Sequence, residues 1–287
     1  MQSVNQPNIV YILADDLGIG DLGCYGQKII KTPNIDKLAS EGMLFSNHYS
    51  GSTVCAPSRS VLMTGQNTGH TYIRDNVGGT DNQEGQTPLS AESITVAEVL
   101  KQKGYATGAF GKWGLGFIGT SGDPNKQGFD EFFGYNCQVI AHRYYPEYLW
   151  HNDKKVFLPG NNWTNTVTYA ADVIHQKALE FIDKNANKPF FLFYPSTIPH
   201  AELIAPNDEI FKRHDGKYQE TPYTDEKAGN GANYGSEISL IKYAPNAQPK
   251  ATYAAMVERL DKHVGEVVAK LKELGLDKNT LIMFSSD

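Results

Sequence analysis

Apolar positions along this chain fall into short unbroken runs and longer periodic stretches. The runs Ile9 to Leu13 and Phe190 to Tyr194 read as strands buried on both faces, Tyr105 to Phe110 as a short strand and Leu281 to Phe284 as the last strand. Helical patterns lie between them. Thr32 before Pro33 opens a helix that Gly42 stops. Thr95-Val96-Ala97-Glu98 is a capping box for a helix ending at Gly104. A helix from about Tyr169 to Lys184 carries Val173, Leu179, Phe181 and Ile182. Met256, Val257, Leu260, Val264, Val267, Val268, Leu271 and Leu274 recur at helical spacing up to Gly275. Helices separating buried strands predict an α/β fold, with a mostly parallel central sheet flanked by helices. Two stretches, Gly114 to Asn162 and Ala205 to Lys250, look irregular, and loops that long are usually functional or mobile.

In an open parallel sheet, ligands sit beyond the carboxyl ends of the strands. The predicted strands deliver Asp15 and Asp16, Lys112, His200 and Asp287 to that edge. Each alone would read as a solvated loop residue; four strands presenting ionisable groups together suggest a site. Asp15 and Asp16 are adjacent carboxylates that repel unless compensated, and a hard divalent cation is the natural compensation. Oxygen ligands point to Ca²⁺ or Mg²⁺ rather than Zn²⁺. In Cys55-Ala56-Pro57-Ser58-Arg59, Pro57 suits a first helical turn, which puts Cys55 where free N–H groups favour an anion. Arg59 follows one turn later. A buried structural Cys is the bland alternative.

Composition narrows the picture. The chain has 287 residues, room for one large domain or two ordinary ones. At 40% hydrophobic residues it can build a sizeable core. A net charge of −6 argues against nucleic acid held by general electrostatics. No apolar run approaches the ~20 residues of a membrane span. The start, MQSVNQP, lacks the apolar region of a signal peptide. Three Cys, an odd number, imply no disulfide framework.

Cys55-x-Pro57-Ser58-Arg59 resembles the signature of the type I, formylglycine-dependent sulfatases, arylsulfatase-like. Pro7-Asn8-Ile9-Val10, Asp15-Asp16-Leu17-Gly18, Gly20-Asp21-Leu22-Gly23, Thr32-Pro33-Asn34-Ile35-Asp36, Leu62-Met63-Thr64-Gly65, Gly111-Lys112-Trp113, Pro199-His200 and Ser286-Asp287 follow in the family's order. The resemblance implies an alkaline-phosphatase-like α/β fold, with residues 1–287 forming an incomplete catalytic domain. It implies hydrolysis of sulfate esters, small or glycan-borne, with a sulfated carbohydrate as working substrate. Asp15, Asp16 and Asp287 would hold Ca²⁺ (Mg²⁺ is possible), joined by Cys55. Cys55, converted to formylglycine by a formylglycine-generating or anaerobic sulfatase-maturating enzyme, would be the nucleophile. One hydroxyl of the hydrated aldehyde would attack sulfur, and the second would expel sulfate. Arg59 would hold the formylglycine, Lys112 would bind the sulfate, and His200 would bind it and assist the leaving oxygen. Such enzymes work in periplasm, lysosome or secreted form.

Three departures qualify the resemblance. Gly114 stands where the family has His; His70 is the first candidate to replace that base, with His48 and His142 behind it. The chain stops at Asp287, so a fourth protein metal ligand, a second Lys and the C-terminal subdomain are expected to be missing, with weak or no activity and poor solubility. Gln66 stands where many relatives carry Arg. His70, Arg74, Asp75 and Asn76 are candidates to line the substrate pocket. His142 to Trp150 reads either as a sugar-stacking surface or as a loop packed by its own aromatics. Two alternatives remain: a phosphonate or phosphate ester hydrolase of the same superfamily, and a non-catalytic sulfated-glycan-binding relative.

Overall fold

The structure, a computed structural model, describes residues 6–78, 84–162, 165–224 and 243–287. Part of the irregular stretch from Ala205 to Lys250 lies outside the described residues, as does most of the N-terminal MQSVNQP.

The centre is a seven-stranded sheet in the order β5-β4-β3-β2-β6-β1-β7. Its strands are β1 (Asn8–Ala14), β2 (Ala106–Lys112), β3 (Glu131–Tyr135), β4 (Tyr148–His151), β5 (Lys154–Phe157), β6 (Phe190–Pro195) and β7 (Thr280–Ser286). β7, β1, β6, β2 and β3 pair in parallel; β3, β4 and β5 pair antiparallel. The four strands expected from the apolar runs are present. β3, β4 and β5 arise in the stretch that looked irregular from Gly114 to Asn162.

Seven α-helices and three short 3₁₀ turns among the described residues complete the fold; the α-helices are α1 (Pro33–Glu41), α2 (Cys55–Thr64), α3 (Val96–Gln102), α4 (Gln138–Ala141), α5 (Ala170–Lys184), α6 (Glu209–Lys212) and α7 (Pro249–Glu273). Alternation along the strands sorts the core into two layers. Val10 and Ile12 of β1 and Phe190 and Leu192 of β6 pack with Ile174 and Phe181 of α5 and Leu260, Val264 and Val267 of α7. Leu13, Ala109, Phe191 and Phe193 face the other way, onto Ala56 and Met63 of α2 and Ala97 of α3. Each fully buried Leu, Val or Phe adds roughly 1.5–3 kcal/mol of transfer free energy.

The capping box is in place: Thr95 Oγ1 accepts from Glu98 N at 3.2 Å, and Glu98 Oε2 accepts from Thr95 N at 2.8 Å. α7 begins at Pro249, about two turns before the large apolar residues start, because its first turns bury small Ala251, Ala254 and Ala255. Thr32 precedes α1 but does not cap it; its hydroxyl donates to Asp36 Oδ1 at 3.0 Å and accepts from Gly23 N. The cap comes from α7. Asp261 accepts Asn34 N at 2.9 Å, Ile35 N at 2.8 Å and Asn34 Nδ2 at 2.8 Å.

This cap ties α1 to α7 through a buried carboxylate. Asp261→Ala leaves two backbone donors without partners and is expected to cost about 1–3 kcal/mol in a urea titration; a loss under about 0.5 kcal/mol would contradict the capping role.

Candidate active site

Because β1, β2, β6 and β7 run in parallel, their carboxyl ends open on one edge, and the chain leaves each end with an ionisable side chain. β1 runs into Asp15 and Asp16, β2 ends at Lys112, β6 leads to His200, and β7 leads to Asp287. Registration between neighbours is close at this edge: Asp287 N donates to Ala14 O at 3.2 Å and Leu17 N to Ser286 Oγ at 2.9 Å. Asp16 adopts a left-handed φ of 57°, a conformation uncommon for a residue with a side chain, which turns it out of the strand line. Gly111 serves the close packing that delivers Lys112: a Cβ there would lie 1.9 Å from Pro195 O.

The charges interlock. Lys112 Nζ donates to Asp15 Oδ2 at 2.8 Å. Arg59 Nη2 donates to Asp15 Oδ1 at 3.3 Å and lies 2.7 Å from Asp287 Oδ2, while its Nη1 donates to the Lys112 carbonyl. All four side chains are at most 1% exposed. The Arg59–Asp287 contact is an ion pair by distance but lacks hydrogen-bond alignment, so buried Asp287 Oδ2 has no directed donor among the described residues.

Burial alone would raise every carboxyl here. For Asp15, Lys112, Arg59 and His200 outweigh burial and hold its pKa well below the usual carboxylate range. For Asp287 burial wins, reinforced by the Asp15 charge, and its pKa stays raised despite Arg59. The pocket therefore holds more carboxylate than its two permanent cations neutralise.

Cys55 is the first residue of α2 and is buried. The Ala56 N–H beside it donates to Asn76 Oδ1 at 2.8 Å. Burial pushes the thiol pKa up, and Lys112 and Arg59 only partly offset it. Single ligand atoms of Asp15, Asp16, Cys55 and His200 all lie within 4.8 Å of one another, a grouping able to hold a metal ion. His200 Nε2 sits 3.2 Å from Asp16 Oδ2, and its Nδ1 faces the Ala201 carbonyl. The Tyr144 hydroxyl reaches the carbonyls of Thr197 and His200 at 2.8 and 2.7 Å, bracing the loop after β6.

Not every expected residue joins this group. His70 is exposed, outside the ligating cluster, with Nδ1 3.1 Å from Asn67 Oδ1. Its neighbour Arg74 donates to the carbonyls of Thr71 and Gly69. Both line an open cavity of about 350 Å³ with Gln66, Tyr72 and Ser90. His48 is exposed beside Phe45. His142 instead stacks on His200, ring centroids 4.2 Å apart and planes 8° apart; burial, Lys112 and His200 push its pKa down to about 2. The segment from His142 to Trp150 packs through its own aromatics and runs into β4 rather than presenting an open stacking surface. Tyr144 and Tyr145 are buried, and Tyr148 and Trp150 both donate to Glu84, at 2.7 and 2.9 Å. Gln138 is buried and bonded to Asn76, although nothing in its local sequence marks it as part of the site.

Asp15→Asn would leave Lys112 and Arg59 sharing one carboxylate. Unfolding free energy at pH 7 is expected to fall by about 3–5 kcal/mol, read by urea titration; a loss below about 1 kcal/mol would contradict the charge network. The stability Asp15 contributes is present above its ordinary pKa of about 4 and drains away as pH falls from there toward its depressed native value. Asp287 has the opposite sign: its cost grows as pH climbs from the ordinary carboxyl value to its raised one.

Comparison with known proteins fits this geometry. The family model described as Sulfatase matches residues 7–287. Arylsulfatase J of Mus musculus is 33% identical over 294 residues, covering 99% of this chain and 42% of its own length. N-acetylgalactosamine-6-sulfatase of Canis lupus familiaris is 30% identical, with 98% of this chain and 50% of its own length covered. Among solved structures, Ps i-CgsB in complex with k-i-k-neocarrahexaose superposes with a TM-score of 0.72 at 31% identity, over 98% of this chain and 58% of that one. This chain thus spans about half the length of the curated relatives it matches. A phosphonate monoester hydrolase of Agrobacterium radiobacter, 19% identical at a TM-score of 0.63, shares the fold. With a match running from Pro7 to the last residue and the signature Cys55 seated beside the paired aspartates, the chain belongs to the sulfatase family.

Proposed function

We propose that residues 1–287 form part of the catalytic domain of an enzyme that hydrolyses sulfate esters of carbohydrates, with Ca²⁺ bound and Cys55 converted to formylglycine. The observation that carries this reading is the convergence of Asp15, Asp16 and His200 on Cys55, with Lys112 and Arg59 buried behind them.

Charge supports a divalent cation and a sulfate ester together. Three carboxylates against Lys112 and Arg59 leave one negative charge, with His200 counted neutral. A divalent cation turns that into one positive charge, matching the single charge of a sulfate monoester rather than the two of a phosphate monoester. The donors suit Ca²⁺, or Mg²⁺, in one respect and not in another. Asp15, Asp16 and Asp287 offer hard oxygens, and buried Asp287 Oδ2 lacks a directed donor. The Cys55 thiol is soft, and its raised pKa disfavours the thiolate a metal would take. Replacing sulfur by oxygen at position 55 removes that mismatch.

Bound there, the cation would supply charge to the sulfuryl oxygens as a Lewis acid. Hydrated formylglycine would supply one hydroxyl as nucleophile and a second for release of sulfate. The chain's own residues do the rest. Arg59, locked between Asp15, Asp287 and the Lys112 carbonyl, fixes the side of the pocket behind residue 55. Lys112 presents a preorganised positive charge without reorganisation at the moment of reaction. With Nδ1 facing a carbonyl, His200 presents Nε2 to the pocket, the atom that carries the proton for the leaving oxygen when the ring is in its protonated form. His142, held neutral and stacked on His200, limits how that ring can turn.

A carbohydrate is favoured because relatives matched at 30–31% identity carry N-acetylgalactosamine-6-sulfatase in their name or k-i-k-neocarrahexaose in their complex. The proposal includes maturation by a formylglycine-generating or anaerobic sulfatase-maturating enzyme, and work in periplasm, lysosome or outside the cell. Among the described residues no helix is long and apolar enough to cross a membrane.

Co-expression with a maturating enzyme should convert the Cys55 peptide to an aldehyde by mass spectrometry, and the product should hydrolyse a sulfated sugar faster than the matched phosphate ester. Faster release of phosphate than of sulfate by the aldehyde-bearing protein would contradict the reading. Ca²⁺ at one hundred times its Kd should stabilise the protein by about 2.7 kcal/mol, and EDTA should reverse this. An unchanged thermal transition would argue against the cation.

A further inference from the structure

Gly114 follows Lys112 and Trp113 at the end of β2, at a φ of +74°. A Cβ built there would sit 2.8 Å from Gln138 Cγ and 2.9 Å from its Nε2. The volume beside Gly114 is therefore filled by Gln138, the first residue of α4, which is 4% exposed. Its amide is held on one side only. Nε2 donates to Asn76 Oδ1 at 3.2 Å, the same oxygen that accepts the Ala56 N–H at 2.8 Å. Gln138 Oε1 is buried and has no hydrogen-bond partner among the described residues. A buried bare acceptor costs about 1–3 kcal/mol, a cost borne here within two hydrogen bonds of residue 55.

We propose that Gln138, admitted by Gly114, is a positioning residue for the nucleophile at position 55, acting through Asn76 on the first turn of α2. The proposal rests on the sulfate-ester reading of the site. The Ala56 N–H is one of the donors a helix leaves unsatisfied at its N-terminus. Asn76, on an exposed loop, satisfies it, but an isolated Asn side chain is free to rotate. The second bond, from Gln138, holds the Asn76 amide with oxygen toward Ala56 and nitrogen turned away. This fixes the backbone that carries residue 55. A side-chain amide does not titrate near neutral pH, so Gln138 sets geometry and carries no proton. Its loss acts on kcat and leaves the inflections of the pH profile where they are. Gly114 belongs to the same device, since any side chain there displaces Gln138.

Four variants test this: Gln138→Met, which keeps size but removes the amide, Gln138→Ala, Gly114→Ala, and Gly114→Ala with Gln138→Ala. Two readouts are taken: kcat, KM and pH profile on an aryl sulfate for matured protein, and amide hydrogen exchange of the peptide spanning Cys55 to Thr64 in unmodified protein. Gln138→Met should lower kcat by about tenfold or more with KM within about twofold, and speed exchange in the first turn of α2 while other helices keep their protection. The double variant should be no worse than the worse single one, because both singles break the same contact. Wild-type kcat and exchange in Gln138→Met, additive losses, or a displaced pH inflection would each overturn the proposal. If Gln138→Met does not fold, Gly114→Ala gives the same exchange readout. Faster exchange in the variants of a wild type that, once matured, hydrolyses the phosphate ester faster than the sulfate ester would sink the sulfate-ester reading and leave the positioning role standing.

Discussion

Burying Lys112 and Arg59 against Asp15 is the constraint on which the rest of this site depends. Each of those ions would pay several kcal/mol to leave water alone. They are affordable only as a set, with both Asp15 oxygens engaged and Arg59 also drawn to Asp287. The set exists only if β1, β2 and β7 hold their mutual register. Ala14 pairs with Ser286 across β1 and β7, and a slip of one residue would swing Asp15 or Asp287 to the wrong face. The charge network and the sheet are thus one structure seen from two sides.

The network also explains the chemistry proposed for the pocket. Charges already fixed in place need no rearrangement when an anion arrives. The surplus of carboxylate gives a cation its reason to bind, and Asp287, pushed up by burial, registers that surplus most directly. Cys55 sits where the cluster meets the N-terminus of α2, at the junction of a carboxylate-rich and a donor-rich surface.

Much of this was legible in the chain itself. Strands β1 and β6 announce themselves as unbroken apolar runs buried on both faces, whereas β2 is interrupted by Thr107 and Gly108 and β7, shorter in its apolar run, proves to be a half-exposed edge strand with Leu281 51% exposed. β3, β4 and β5 were not legible. They are four or five residues long, β3 carries Gly134, and exposed β5 reads Lys-Lys-Val-Phe, too polar to look like sheet. The side chain that caps α1 was not legible, because the acceptor, Asp261, lies 227 residues away from Asn34. His70 looked plausible by nearness in sequence to the nucleophile helix, whereas His142 comes to His200 only through tertiary packing. Gln138 was invisible for the same reason: its significance is the hole at Gly114, and a hole has no sequence signature.

The central claim is that side chains from position 15 to position 287 surround one cation beside residue 55. A crystal structure of the matured protein grown with Ca²⁺ tests it most directly. The account predicts a single strong peak with oxygens of Asp15, Asp16, Asp287 and residue 55 at about 2.3–2.6 Å. A cation bound elsewhere, or an ordered site with Asp15 and Asp16 turned away from residue 55 in the presence of excess Ca²⁺, would contradict it.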